Sequence, residues 1–314
     1  MSLATLRTSV PLTGPCGEPV DLWRTMQSHG MAELPPVFVD HESRTMHVVT
    51  RLGWTGPYLF SVAPESDSRT IVTAQGVPQD FPLEAAVNAA KHLLRMDEDL
   101  SRFYALVAAD ANLSWASRGA GRMARSATIF EDVIKTLLTT NCAWSATIRM
   151  VTTLVDLLGE QAINVDSNLP ISRVFPTADA MAAQPESFFR SEVKAGYRAP
   201  HLVSIAERVA AGELNLEILG TTSADDLPDE ELAEILLSLP GVGPYAMSHI
   251  MMMLGRYRPL ILDSWTRPTY NRMARRKKPA TDAQIERQFR RYGEFAGLAF
   301  WLFLTRDWIT DQEA

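Results

Sequence analysis

The stretch LSLPGVGPYAMSHIMMMLG, residues 237–255, sets two prolines and two glycines between segments that otherwise favour helix. Upstream, DEELAEILLSL (229–239) reads as an amphipathic helix with acids in its first turn, where the positive end of the helix dipole favours them. Pro240 ends that helix, and Gly241 and Gly243 permit positive φ and close backbone approach in a tight hairpin. Pro244 suits the first turn of the next helix, where its missing N–H would have had no partner. The unpaired N–H groups and the dipole of that helix start form a seat for phosphate. The bland alternative is a plain link between two packed helices.

Around this hairpin the chain changes character near residue 80. Before it, TMHVVTRL, PYLFSVA and RTIVTAQG are short β-branched or aromatic runs separated by Gly, Pro, Asp and Ser, which predicts an antiparallel sheet. VDLWRTMQSHG suggests one early helix. After residue 80, apolar residues recur at helical spacing in 82–96, 97–110, 130–140, 145–159 and 199–212. Pro200 opens the last of these and Gly212 closes it. With 314 residues and 46% hydrophobic content, a sizeable core is available. The expected fold class is α+β: an N-terminal antiparallel β domain over 1–80 and a helical region over 81–314, with the hairpin at 229–255.

Several function classes are disfavoured. No stretch nears the roughly 18–20 apolar residues of a membrane helix, and LAFWLFL (298–304) reads as a short buried run. The N-terminus lacks a basic start followed by an apolar block, so no secretory signal is expected. Cys16 and Cys142 are the only cysteines and lie outside any C-x-x-C, and the six histidines show no metal spacing. These features predict a cytoplasmic protein without a metal cluster or disulfide framework. The glycines of SRGAGRMARS lack the strand and helix that would frame a dinucleotide site.

The net charge of −7 argues against a polyanionic partner, but its distribution does not. Arg256 to Arg291 holds eleven basic residues against three acids. Arg118, Arg122 and Arg125 form a second, smaller cluster. Local patches of this kind bind phosphates even in an acidic protein, although a solvated helix face is the common alternative. Asp263 lies twenty positions after Gly243, directly beyond the apolar run Leu260-Ile261-Leu262 and before the basic segment. As an N-cap for the following helix it would be ordinary. A cap alone accounts for the aspartate, but not for a phosphate seat and a basic helix beside it.

LPGVGPYA…LILDSWTR resembles the helix-hairpin-helix motif of the endonuclease III superfamily of DNA glycosylases, with the catalytic aspartate at Asp263. FEDVIKTLLTTNCAWSATIRMVTTLVDLLG (130–159) resembles the family's helix pair before the DNA-plugging loop. KAGYRAPHLVSIAERV and YGEFAGLAFWLFL resemble segments of its 8-oxoguanine branch. The likeness covers about residues 97–305, and the N-terminal sheet suits the branch holding 8-oxoguanine glycosylase and 3-methyladenine glycosylase II. It implies a two-lobed, all-helical catalytic region behind the sheet domain.

The resemblance also distributes roles. The position of the strand-cleaving lysine of bifunctional relatives is Tyr245, so no Schiff base is expected there. The glutamine that reads 8-oxoguanine is replaced by Phe300, whose ring lacks those hydrogen bonds. His249 stands where a cysteine stacks on the flipped base. The clustered cysteines of an iron–sulfur centre are absent. Asn141 is expected to enter the vacated base stack, or else to be a plain helix-cap asparagine. Trp144, Tyr245, Trp265, Phe300 and Trp301 are candidates for an aromatic pocket attractive to cationic bases, with ordinary core packing as the alternative. Gly241, Val242 and Gly243 would hold phosphate through their backbone, with a monovalent cation as an optional companion on the hairpin carbonyls. Arg267, Arg272 and the run 274–278 would add sequence-independent contacts.

The expected protein is thus a monomeric, nucleoid-associated, monofunctional glycosylase acting on double-stranded DNA with a damaged base, most suitably an alkylated purine such as 3-methyladenine. The rivals are a glycosylase for 8-oxoguanine or a deaminated base, and a non-catalytic DNA-binding protein.

Overall fold

The computed structural model describes residues 3–52 and 56–309. Five strands form one antiparallel sheet: β1 (Leu3–Pro11), β2 (Val37–Asp40), β3 (Thr45–Arg51), β4 (Pro57–Ser66) and β5 (Arg69–Pro78), in the order β1-β5-β4-β3-β2. The three runs read from the sequence are β3, β4 and β5; β1 and β2 are additions at the two edges. The register sets Val48 opposite Phe60 and Val62 opposite Val72, so one face gathers the apolar side chains. Both faces are covered. Val48, Phe60, Val62 and Val72 pack against the first long helix, while Val49 and Leu59 pack against Ala162, Ile171 and Val174.

The helices are α1 (Leu22–Met26), α2 (Leu83–Leu93), α3 (Ser101–Val107), α4 (Ile129–Thr139), α5 (Trp144–Leu158), α6 (Ala178–Ala182) and α7 (Glu186–Ser191). They continue as α8 (Ala199–Ala210), α9 (Glu217–Thr221), α10 (Asp229–Leu237), α11 (Pro244–Met253), α12 (Thr266–Met273), α13 (Asp282–Phe289) and α14 (Ala296–Thr305). Helix α2 joins the sheet: Ala86, Ala90 and Leu93 share a core with Val10, Phe60 and Val72. From Leu100 onward the helices build a second core around α4, α11 and α14. Every residue of α14 is buried, so it presents no polar face. Among the described residues, no helix is long and apolar enough to cross a membrane.

Arg122 and Arg125 of SRGAGRMARS do not form a phosphate patch. Arg122 is fully buried, donates to the carbonyls of Arg95 and Glu98, and pairs with Glu18 at 2.7 Å. Arg125 pairs with Asp97 and bonds the His92 carbonyl. These guanidiniums satisfy loop carbonyls where the chain crosses from the sheet to the helical core. A charge count along the sequence cannot register that burial.

Candidate active site

Four chain segments meet at one cleft of about 880 Å³: the C-terminal end of α4, the start of α5, the turn into α11, and the turn into α12. Its lining includes Asn141, Trp144, Gly241, Gly243, Tyr245, Asp263 and Trp265, residues up to 124 positions apart in sequence.

The turn between α10 and α11 is held by Val242 N–H donating to the Leu239 carbonyl at 3.1 Å. Gly241 takes φ 80° at the edge of the cleft, a conformation glycine adopts without strain. Gly243 differs from expectation: its φ is −103°, and nothing lies within 4 Å of where a Cβ would stand. Its small size serves no internal contact and leaves the start of α11 open to an approaching group. The Val242 side chain is buried and its N–H is used within the turn, which leaves its carbonyl as the backbone group it offers. The free donors belong to the flanking backbone.

Asp263 precedes α12 and takes the capping role considered for it. Its Oδ1 accepts from Trp265 N at 2.8 Å and Thr266 N at 2.6 Å, which caps the helix start. Its own N–H donates to Thr266 Oγ1 at 2.8 Å, fixing the turn from the other side. Oδ2 makes no hydrogen bond among the described residues. The cap therefore orients the carboxylate and leaves one oxygen for the cleft.

Aromatic rings frame this oxygen. Trp144 is 44% exposed and Trp265 is 38% exposed, so both indoles present open surface where they line the cleft. Trp265 leans on Trp301 and Trp308, with ring centroids 5.7 and 5.6 Å away. Tyr245 lines the cleft, and its hydroxyl lies 3.3 Å from Thr139 Oγ1. Burial, followed by other effects including the nearby Asp263 charge, pushes its phenol pKa up, so the hydroxyl stays protonated at neutral pH.

Three expected pocket residues lie elsewhere. Phe300 is fully buried against Phe289 and Tyr270, at 5.1 and 6.2 Å between centroids. It points toward α12 and α13 rather than the cleft, because α14 is enclosed on every side. Trp301, one residue on, is a buried buttress for Trp265. His249 sits one turn beyond Tyr245, behind it, with ring centroids 4.5 Å apart.

Asn141 stands at the cleft mouth with φ 46°, just after the α4 C-cap Thr140. A left-handed residue at this point ends the helix, so the cap alternative describes its backbone. Its side-chain amide is exposed and donates to Tyr197 Oη at 3.1 Å. The sequence reading missed Tyr197, Thr139 and Thr140, which also line the cleft. It missed Arg198 as well, which binds the Thr140 carbonyl and, at 3.1 Å, its Oγ1. Of the basic residues, Arg267 is locally matched, donating twice to Asp282 at 2.8 and 2.9 Å. Arg272 is exposed.

The sequence matches no family model and no curated protein. The fold has clear counterparts among solved structures. A 3-methyladenine DNA glycosylase from Archaeoglobus fulgidus superposes with TM-score 0.73 and 23% identity, over 96% of this chain and 99% of that one. An 8-oxoguanine glycosylase/lyase from Clostridium acetobutylicum, in complex with double-stranded DNA, gives 0.70 and 20% over 98% of each. MBOgg1, bound to a low-affinity DNA ligand, gives 0.71 and 18% over 98% of this chain and 99% of that one. Along nearly its whole length, this chain has the fold of these DNA glycosylases.

Proposed function

We propose that the protein is a monofunctional DNA glycosylase that hydrolyses the N-glycosidic bond of a flipped-out alkylated purine such as 3-methyladenine. The observation that carries this reading is the Asp263 carboxylate, held by its own helix cap with Oδ2 free, in a cleft walled by Trp144, Tyr245 and Trp265. Breaking the bond builds positive charge on the sugar, and a fixed carboxylate beside it stabilises that transition state. Asp263 also orients the attacking water. Tyr245 supplies no amine, so the product is an intact abasic strand. Protonated, and sharing the cleft with the Trp144 and Trp265 indoles, it offers a cationic base a π-rich surface. A cationic purine already leaves readily, so the cleft needs little general acid.

Extrusion of the base costs a few kcal/mol, less for a damaged one. Asn141 fills the vacated stack and offers its amide to the widowed base. The backbone at Gly241 and Gly243 seats a phosphate at the α11 N-terminus. The carbonyls of Pro240, Gly241 and Val242 accept no hydrogen bond among the described residues, a donor set that fits a monovalent cation. When bound, such an ion adds positive charge beside the phosphate.

The test is base release from duplexes carrying 3-methyladenine, hypoxanthine, uracil or 8-oxoguanine, with wild type and Asp263→Asn. Asparagine keeps an oxygen for the cap, so fold and DNA affinity should persist while release falls by about 10²–10³. Release of 8-oxoguanine alone, or a covalent complex trapped by borohydride, overturns the assignment. DNA binding without release of any base leaves a binding module.

A further inference from the structure

The C-terminal ends of α12 and α14 meet at a polar cavity of about 450 Å³, a volume in the range of ligand pockets. Arg275, Arg276 and Arg306 line it together with Gln288 and Asn112, and no carboxylate does. None of these residues lines the Asp263 cleft. That cleft is reached at the other end of α12, roughly 12 Å away along its eight residues.

The donors are held by fixed backbone. Arg275 takes φ 49° just past the α12 C-cap, with its N–H on the Arg272 carbonyl at 3.1 Å. Arg276 N–H closes the turn on the Asn271 carbonyl at 2.9 Å, and Ala280 N–H donates to Asn271 Oδ1 at 2.9 Å, tying the following loop to the helix. Arg306 rests over the Phe303 ring, 5.7 Å from its centroid, and spends its Nε on Asp307 at 3.3 Å. Tyr270 Oη donates to Gln288 Oε1 at 2.5 Å, so the Gln288 amide has its Nε2 donors left over. Two helix C-termini attract cations through their dipoles, which eases the gathering of three guanidiniums without a carboxylate. Yet none of the three side chains hydrogen-bonds a helix carbonyl among the described residues, so capping does not account for them.

We propose that Arg275, Arg276 and Arg306, with Gln288, form a second oxyanion site that binds phosphate groups, separate from the α10–α11 turn. Guanidinium forks suit phosphate oxygens, and a cavity lined by several donors and no acid takes more than one such group at close spacing. The phosphates come either from the backbone of a bound duplex or from a free oligophosphate. The site stands on its own residues and does not depend on the glycosylase reading.

The test is calorimetric titration of the full chain with sodium pyrophosphate at fixed ionic strength. Arg306→Gln and Arg275→Gly should each weaken binding about tenfold. Glycine adopts φ 49° without strain, so the second variant keeps the turn. Lys277→Gln, on the same basic run but outside the cavity, should leave binding unchanged. A parallel anisotropy titration with an undamaged duplex separates the two sources. If the duplex backbone fills the site, pyrophosphate displaces the duplex and Arg306→Gln lowers the log–log salt slope by about one unit. If a free anion fills it, Arg306→Gln loses pyrophosphate while the duplex slope stays the same. Absence of pyrophosphate binding by wild type, with an unchanged duplex slope in Arg306→Gln, overturns the site. So does a loss in Lys277→Gln equal to that in Arg306→Gln, which is the mark of a diffuse basic field.

Discussion

Gly241 and Gly243 are two residues apart and meet different demands. Gly241 has φ 80°, and a Cβ there would approach the His201 ring to 2.8 Å. Gly241→Ala should therefore destabilise the protein by about 1–3 kcal/mol in denaturant unfolding, from backbone strain and that contact. Gly243 has ordinary extended geometry and open space around it. In Gly243→Ala, the lost N-cap preference of glycine and the reduced freedom of the unfolded chain oppose each other, leaving stability within about 0.5 kcal/mol. Its methyl group does obstruct a phosphate approaching the α11 N-terminus, so duplex affinity should fall about tenfold in a fluorescence anisotropy titration. Equal affinity of Gly243→Ala and wild type would remove the phosphate seat from the proposal.

At the level of elements, the helices of the second core were legible because apolar residues recur every three to four positions in α4, α5 and α8. The turn between α10 and α11 was legible because Pro240 and Pro244 bracket it. The edge strands were not. β1 alternates between exposed and half-covered positions, and β2 is only four residues long, so neither carries a strong pattern. Phe300 shows the limit of periodicity in another way: a helix apolar around its whole circumference does not reveal which residue faces a cleft. The Asn141–Tyr197 bond joins residues 56 positions apart, and no local pattern announces such a contact.

The basic segment divides on the same grounds. Arg256 and Arg258 pair with Asp229, Arg267 with Asp282, and Arg291 with Asp110. Arg272, Arg275, Arg276, Lys277 and Lys278 are exposed and have no ion-pair partner among the described residues. If this run contacts DNA phosphates, Lys277→Ala and Arg276→Ala should each reduce the log–log salt dependence of duplex binding by about one unit. Arg258→Ala, whose charge is already matched, should leave that slope unchanged.

For the whole molecule, three histidines shielded from solvent make stability depend on pH. His29, His92 and His249 are each pushed down from 6.5 to about 4, chiefly by burial. In the unfolded chain these rings return to their ordinary value. Between pH 6.5 and 4 the unfolded state therefore binds three protons that the native state refuses, and stability falls as pH falls through that window. Asp132 acts in the opposite sense. Burial raises its carboxyl from 3.8 to about 6, so between those values the native state holds a proton that the unfolded state releases. That single gain offsets one of the three histidine losses below pH 6. Unfolding free energy should thus decline as pH falls below about 7, most steeply between about pH 6 and 5 where the net imbalance is near two protons, at about 1.4 kcal/mol per pH unit for each net proton. His249→Leu removes one proton from the imbalance. Its stability advantage over wild type should be larger at pH 5 than at pH 8 in paired urea titrations. An advantage independent of pH would mean that His249 is already protonated, or already solvated, in the native protein.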